Sequence, residues 1–351
     1  MESIIKLSDF DFQLPENLIA QVPVPDRNRS RLMIVDRDTQ SVQEDYFYNL
    51  NKYLDPTYTL VFNDTKVIPA KVFGKKKGNE KVFEVLLIKE IDDGIWESLV
   101  KGIKKLNEGT SLYFANGKIE AKLTSKIQGR GILQFSSKKS VDELLEQYGD
   151  MPLPPYVKRK PNNPYFDLDR ERYQTVYAQE TGAIAAPTAG LHFTQKQIEQ
   201  LQHDGIKTLF VTLHVGPGTF QPVREENILL HKMEKEKYII SPKTWNQLLA
   251  DKENKNNILA VGTTATRVLE SVDLKGDPSQ KSFSGWTNLF IHSNYNFKHV
   301  NKLLTNFHLP KSTLFMLICA FGGKRLIKQA YKKAIESEFR FFSYGDAMLI
   351  L

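Results

Sequence analysis

The sequence predicts an α/β main domain interrupted by a small antiparallel β-barrel domain. Three observations carry this. Strand and helix signals alternate at the start of the chain and again over its second half. Between them, from about residue 67 to 135, the texture changes to short β-rich pieces separated by Gly, Asn and Asp turns. A proline-rich connector, "MPLPPYVKRK" (151–160), then returns the chain to the α/β pattern. The main domain is expected at residues 1–66 and 151–351, with the barrel domain inserted at 67–150.

Taken in order, "RLMIVDR" (31–37) and "YTLVF" (58–62) read as strands. In the insert, "KVFGK", "KVFEVLLIKE", "GIWESLV", "TSLYFANGKIEAKL" and "RGILQF" supply the barrel, with Asn116-Gly117 as a hairpin turn. "SVDELLEQYG" (140–149) is expected to be a helix ended by its glycine. After the connector, "QKQIEQLQHDG" is helical and "IKTLFVTLHV" a strand that ends on His214. "SPKTWNQLLADK" is a helix, "NILAV" a strand, and "TTATRVLES" a helix capped by Thr263 or Thr264. "TNLFIH" reads as a strand, and residues 310–334 as two helices broken near Gly322-Gly323, with Pro310 as a first helical residue.

Composition excludes several classes. The chain has 351 residues, 41% hydrophobic and 25% charged, which is the profile of a soluble globular protein. The net charge of +7 favours an anionic partner such as nucleic acid only weakly. Cys319 is the single cysteine, so neither an internal disulfide nor a Cys-based zinc site is expected. The N-terminus carries acids and a proline where a secretory signal needs an apolar core, and "LFMLICAF" (314–321) is too short to span a bilayer. A cytoplasmic protein with no membrane association is expected. No phosphate-binding G-x-x-x-x-G-K-[ST] loop, dinucleotide G-x-G-x-x-G turn or H-E-x-x-H zinc motif is present, so nothing in these motifs points to a bound nucleotide cofactor or to zinc hydrolysis.

Polar clusters fall where strands end, the place where α/β sheets bind ligands. "LVFNDTKV" sets Asn63, Asp64 and Lys66 after one strand, and "VTLHVGPGTF" sets His214 before Gly216, Gly218, Thr219 and Phe220. "AVGTTATRVLES" holds Thr263, Thr264 and Arg267, and "LLTNFHLPKST" holds Asn306, His308 and Lys311. "PDRNRSR", with Arg29 and Arg31, is suited to gripping phosphate or carboxylate. "GAIAAPTAGLHFT" (182–194) shows neither helical nor strand periodicity. Its small residues let a ligand approach the backbone, so Thr188, Ala189, Gly190 and Leu191 read as a binding wall beside His192 and Phe193. Each cluster also has a structural reading: an Asx turn at Asp64, a helix cap at Thr264, core histidines at His192, His214 and His308.

With these stretches, "MPLPPYVKR", "RYQTVYA" and "RFFSYGDAMLI" complete a set that runs along nearly the whole chain. In this set the sequence resembles the S-adenosylmethionine:tRNA ribosyltransferase-isomerase family of queuosine biosynthesis. The barrel insert matches least. The resemblance implies that the ribosyl part of S-adenosylmethionine is transferred and isomerised onto 7-aminomethyl-7-deazaguanine at the tRNA wobble position. Epoxyqueuosine forms, and adenine and methionine leave. The cosubstrate is consumed; no methyl group moves and no metal is implied.

That chemistry needs a base near the carbon beside the sulfonium and an acid for departing adenine. His192 and His214 suit these tasks, with Asp64 as an alternative base. Phe193 or Phe220 would stack on adenine or face the sulfonium. The amino-acid carboxylate would sit at Thr263-Thr264 with Arg267 one turn on. The tRNA or its base would meet Arg29, Arg31, Asn63, Lys66, Tyr156, Arg159, Asn306, His308 and Lys311, with the basic "PYVKRK" and the barrel lysines holding the anticodon arm. A monomer is expected. Two departures from the family pattern stand out: Ser293-Asn294 replaces a Pro-Gly pair, and Glu234 stands where a second histidine is usual. Two other classes compete: a non-catalytic RNA-binding protein built on the barrel, and an S-adenosylmethionine-dependent methyltransferase. The second would show a Gly-rich loop after its first strand, which is missing here.

Overall fold

The computed structural model describes residues 4–159, 163–216, 218, 223–273 and 283–351. Seventeen strands and seven α-helices follow one another along it. The first part carries β1 (Arg31–Asp36), β2 (Ser41–Tyr46), β3 (Tyr58–Asn63) and β4 (Thr65–Val67). Then come β5 (Lys71–Lys76), β6 (Val82–Asp92), β7 (Ile95–Val100), β8 (Ser111–Phe114), β9 (Ile119–Ile127), β10 (Arg130–Phe135) and helix α1 (Lys138–Tyr148). The remainder carries α2 (Phe166–Arg172), β11 (Glu180–Ala183), α3 (Gln195–His203), β12 (Lys207–Leu213), β13 (Glu236–Ile240), α4 (Pro242–Glu253), β14 (Asn257–Val261) and α5 (Thr263–Ser271). It ends with β15 (Phe283–Thr287), β16 (Lys302–Asn306), α6 (Thr313–Gly322), α7 (Lys324–Glu336) and β17 (Ala347–Ile350).

Nine strands form one mixed sheet in the order β15-β13-β12-β3-β14-β16-β17-β1-β2. β12, β3, β14 and β16 run parallel, so their carboxyl ends lie along one edge. Both faces are covered, and the strands alternate between two cores. Met33 and Val35 of β1 join the layer of α4, α5, α6 and α7, whereas Leu32 and Ile34 join the layer of α3. Central β3 is buried at every residue, as burial on both faces demands.

The insert is a closed six-stranded barrel, β10-β7-β6-β5-β8-β9, antiparallel throughout. Buried and half-buried residues alternate along β7, and buried and exposed ones along the first six residues of β9. Val72, Val85, Leu87, Leu112, Ala121, Leu123 and Leu133 fill the interior, and Val141 and Leu144 of α1 join the same core. The barrel enters and leaves at neighbouring points. Lys71 N–H donates to the Asp150 carbonyl at 3.2 Å, and Asp150 N–H donates back at 2.8 Å.

Some expectations shift. "TNLFIH" (287–292) is not a strand: β15, Phe283–Thr287, ends on its first residue. β12 ends at Leu213, one residue before His214. Pro310 is not the first residue of α6, which starts at Thr313 on a Ser312 cap. Neither Thr263 nor Thr264 caps α5; Gly262 holds that position with φ +94° and no side-chain cap bond. Gly149 does follow α1, but with φ −75°, so left-handed freedom is not its reason. A Cβ there would stand 2.1 Å from the Pro69 carbonyl oxygen, and close approach is what demands glycine. Asn294, in place of the family's glycine, takes φ +67°, a conformation asparagine tolerates.

Candidate active site

The small-residue wall is a real wall. After β11, residues Ala185–Ala189 line a cleft, and Thr188–His192 turn in a single 3₁₀ segment behind them. Two further pieces complete it: Gly262, Thr263 and Thr264 at the start of α5, and residues 305–309, which span the end of β16 and the turn after it. Tyr156, Ser312, Phe342 and Ser343 close the sides. The cleft therefore lies at the carboxyl ends of β14 and β16. The cleft is narrow, with about 60 Å³ of free volume, and it opens to solvent. Its lining has no carboxylate among the described residues.

The start of α5 is open to it. The first N–H groups of a helix lack partners within the helix. Here no side chain caps them, and the Thr264 hydroxyl oxygen is shielded from water without a hydrogen bond. Such an end attracts an anion. At the opposite wall, Tyr156 and Ser343 share a hydroxyl–hydroxyl bond of 2.7 Å, and Tyr156 packs on Phe342. Burial raises the Tyr156 phenol above its ordinary range, so it stays neutral. Phe342 has φ +72°, strained for an aromatic residue.

His308 lines the cleft; its Nε2 bonds the Thr305 hydroxyl at 2.8 Å, and burial lowers its pKa to about 3. His192 lies behind the wall, 4% exposed, and is not a lining residue. Its Nδ1 meets the Ser30 hydroxyl at 2.7 Å and its Nε2 the Asn306 amide nitrogen at 3.0 Å, while its ring stacks on Phe47. Burial, with Arg27, Arg340 and Arg172 nearby, lowers its pKa to about 3. Both histidines are neutral imidazoles at physiological pH.

His214 and Asp64 are held elsewhere. His214 Nδ1 bonds the Thr65 hydroxyl at 3.0 Å, and its ring packs on Gly182. Burial and the Lys237 ammonium lower its pKa. Asp64 lines a separate depression with Thr212, Glu180 and Ser241. Burial raises its pKa against a 2.7 Å hydrogen bond from the Thr212 hydroxyl.

Of the residues expected from sequence, the structure brings Thr188, Ala189, Thr263, Thr264, Tyr156, Asn306 and His308 together at the cleft. Others serve the fold. Phe193 is fully buried edge-on to Phe47 and Phe62, out of reach of an adenine ring. Leu191 is core, and Gly190 packs under Tyr177. Arg267 turns away to a buried ion pair with Glu236, whose other oxygen accepts from Gly216 N–H, so the open helix start acts without it. Asn63 clips β3 to β12 through Leu213. Arg159 makes a buried bidentate pair with Asp169 at 2.7 Å. Arg31 ties Glu44 to the Ser337 carbonyl, Lys311 pairs with Asp11, and exposed Arg29 pairs with Asp26. Lys66 is exposed on β4. Gly218 lies against Glu234, which pairs with Arg130 of the barrel. Thr219 and Phe220 lie outside the described residues. Sequence reasoning passed over Thr305, Ser312, Phe342 and Ser343. They sit inside the motif stretches, but a lone hydroxyl or aromatic there follows no spacing rule.

The chain is similar to known proteins over nearly its whole length. A family described as "Queuosine biosynthesis protein" matches residues 7–350. A relative from Halothermothrix orenii is 47% identical over 99% of this chain and 100% of its own length; it is named S-adenosylmethionine:tRNA ribosyltransferase-isomerase. A relative of the same name from Staphylococcus epidermidis is 44% identical with the same coverage. The crystal structure of an S-adenosylmethionine tRNA ribosyltransferase from Thermotoga maritima is similar too. It has 36% identity and a TM-score of 0.55, covering 98% of this chain and 100% of that one.

Proposed function

The chain belongs to the queuosine biosynthesis protein family, and from that premise we infer that it is an enzyme, an S-adenosylmethionine:tRNA ribosyltransferase-isomerase, whose cosubstrate lies in the cleft. The observation that carries the placement is the convergence of a small-residue wall with the uncapped start of α5 at the carboxyl ends of β14 and β16. The methionyl carboxylate suits the first turn of α5 and the Thr264 hydroxyl. The adenosyl group suits the Ala185–Ala189 wall, with Phe342 for ring contact in place of Phe193.

His308 is the histidine of the lining, and burial keeps it neutral. With a pKa of about 3 it is too weak a base for the proton beside the sulfonium, so it suits contact with the cosubstrate instead. His214 and Asp64 stand on the neighbouring strand ends, where the tRNA base would approach. The barrel, with exposed Lys101, Lys104 and Lys105, suits the anticodon arm. No helix among the described residues is long and apolar enough to cross a membrane, and a cytoplasmic, monomeric enzyme fits this reading.

The test is incubation of purified protein with S-adenosylmethionine and tRNA carrying 7-aminomethyl-7-deazaguanine. Release of adenine and methionine is expected. S-adenosylhomocysteine would mark a methyltransferase, and binding without turnover an RNA-binding protein.

A further inference from the structure

Asn306 is 2% exposed, and its amide is oriented by two neighbours below the cleft. Its Nδ2 lies 3.0 Å from His192 Nε2 and 3.3 Å from the Phe342 carbonyl oxygen. A carbonyl only accepts, so the NH₂ group must face that side. His192 Nε2 must then be the unprotonated nitrogen, and its Nδ1–H donates to Ser30 Oγ at 2.7 Å. The left-handed backbone of Phe342 accompanies this arrangement. Once the NH₂ group is committed downward, Oδ1 is left over. It is shielded from water, accepts no hydrogen bond, and belongs to a residue of the cleft lining. A buried acceptor without a donor is a costly feature unless a ligand supplies one.

We propose that Asn306 Oδ1 is the acceptor for the 6-amino group of the cosubstrate's adenine, and that His192 is a positioning residue that holds Asn306 in the accepting orientation. This rests on the reading of the cleft as the S-adenosylmethionine site. The donor is a neutral N–H rather than the ammonium of the tRNA base's aminomethyl group. Burial, with Arg27, Arg340 and Arg172 nearby, disfavours protonation of His192, and no carboxylate among the described residues lines the cleft to offset a second cation. Adenine is flat and apolar on its faces, which matches the alanine wall and Phe342. The arrangement also explains why a histidine stands at the end of so apolar a stretch. It works through Asn306 and not on the reacting atoms.

The test compares S-adenosylmethionine with its analogue carrying unsubstituted purine, in which hydrogen replaces the 6-amino group. Adenine release by the wild-type enzyme is measured first; its failure would reject the assigned activity and not this contact. In an active enzyme, the analogue is expected to bind about tenfold more weakly, the scale of one hydrogen bond to a buried acceptor. Asn306→Ala should weaken S-adenosylmethionine to the level of the analogue and leave the analogue unchanged. Equal binding of the two ligands by the wild-type protein would overturn the proposal without any variant having to fold. So would a loss in Asn306→Ala that appears only when the aminomethyl group is present on the tRNA. For His192, the readout is the split between KM and kcat. His192→Leu should raise KM for S-adenosylmethionine about tenfold and erase the preference for the amino group. His192→Gln, which keeps an acceptor, should restore much of it. A kcat loss of about 10²–10⁴ with KM intact and no rescue by Gln would make His192 an acid–base catalyst and sink its positioning role.

Discussion

The barrel buries apolar side chains, whereas the cleft buries backbone and polar atoms. Inside the barrel Val72, Val85, Leu112 and Leu123 are wholly enclosed, and their outward neighbours are solvated. Around the cleft His192, Thr305, Asn306 and Ser343 are nearly as deeply enclosed, and each is held by directional bonds. Apolar packing is non-directional and tolerates volume-conserving exchange. A buried amide or imidazole is satisfied in one orientation and expensive in others. The first kind of burial makes a sturdy platform; the second makes a selective surface.

The largest effect should come from separating the two regions. The ends of the insert are adjacent at Lys71 and Asp150, and the apolar face of α1 belongs to the barrel core. Replacing residues 72–149 with a short linker should therefore leave the sheet folded. S-adenosylmethionine binding, followed by calorimetry, should stay within a few-fold of wild type. Turnover on tRNA should fall by roughly 10³ or more, the scale of losing several phosphate contacts. Retained turnover would refute the barrel's role, and lost cosubstrate binding in a folded product would show that the site needs both regions.

A smaller effect should separate glycines of the two regions. An alanine Cβ at Gly190 would lie 1.9 Å from the Tyr177 hydroxyl oxygen, which is fully enclosed and has nowhere to move. Gly190→Ala should cost about 3 kcal/mol in urea unfolding. At barrel Gly109 nothing stands within 4 Å, and only φ +85° opposes a side chain. Gly109→Ala should cost about 1 kcal/mol. Equal costs would erase the contrast.

Polar burial also predicts an acid-sensitive cleft. The folded pKa of His192 and His308 lies at about 3, below an unfolded value near 6.5. Between these values the unfolded chain binds more protons, so stability is full above pH 6.5 and falls as pH drops toward 3. Each histidine contributes up to about 1.4 kcal/mol per pH unit. Urea midpoints from pH 7 to pH 4 should fall accordingly, and His192→Gln should make the slope shallower. A slope unchanged by that substitution would mean that His192 is not protonated on unfolding.

The smallest effect belongs to the barrel surface. Lys104→Ala with Lys105→Ala removes two exposed charges beside buried Ile103. Affinity for tRNA should weaken several-fold and its logarithmic salt slope should drop by about 2. Cosubstrate binding should not change. An unaltered slope would place the tRNA on another face.

The barrel and most of the sheet were legible because alternation and turn chemistry are local. "FANGKI" reads as a turn from its own residues, and Asn116 takes φ +56° there. The cleft was legible as a place but not in its roles. Thr188, Thr264, Asn306 and His308 converge as strand ends predict. Phe193 and Arg267, equally plausible as ligands, turn to Phe62 and Glu236 instead. No local pattern announces a partner 31 residues away, as between Arg267 and Glu236.

By itself, then, the sequence determined the α/β frame, the inserted barrel and the stretches that line the cleft. These follow from periodicity, small residues and turn formers, which act within a few positions of one another. Only the tertiary structure decided which polar groups line the cleft and which are consumed by the fold. His192 and Asn306 are 114 positions apart, and Phe342 lies 36 further on. Their shared hydrogen bonds exist only where β16, the small-residue wall and the chain before β17 meet. A hydrogen bond has a direction, and that direction is set by all three elements at once.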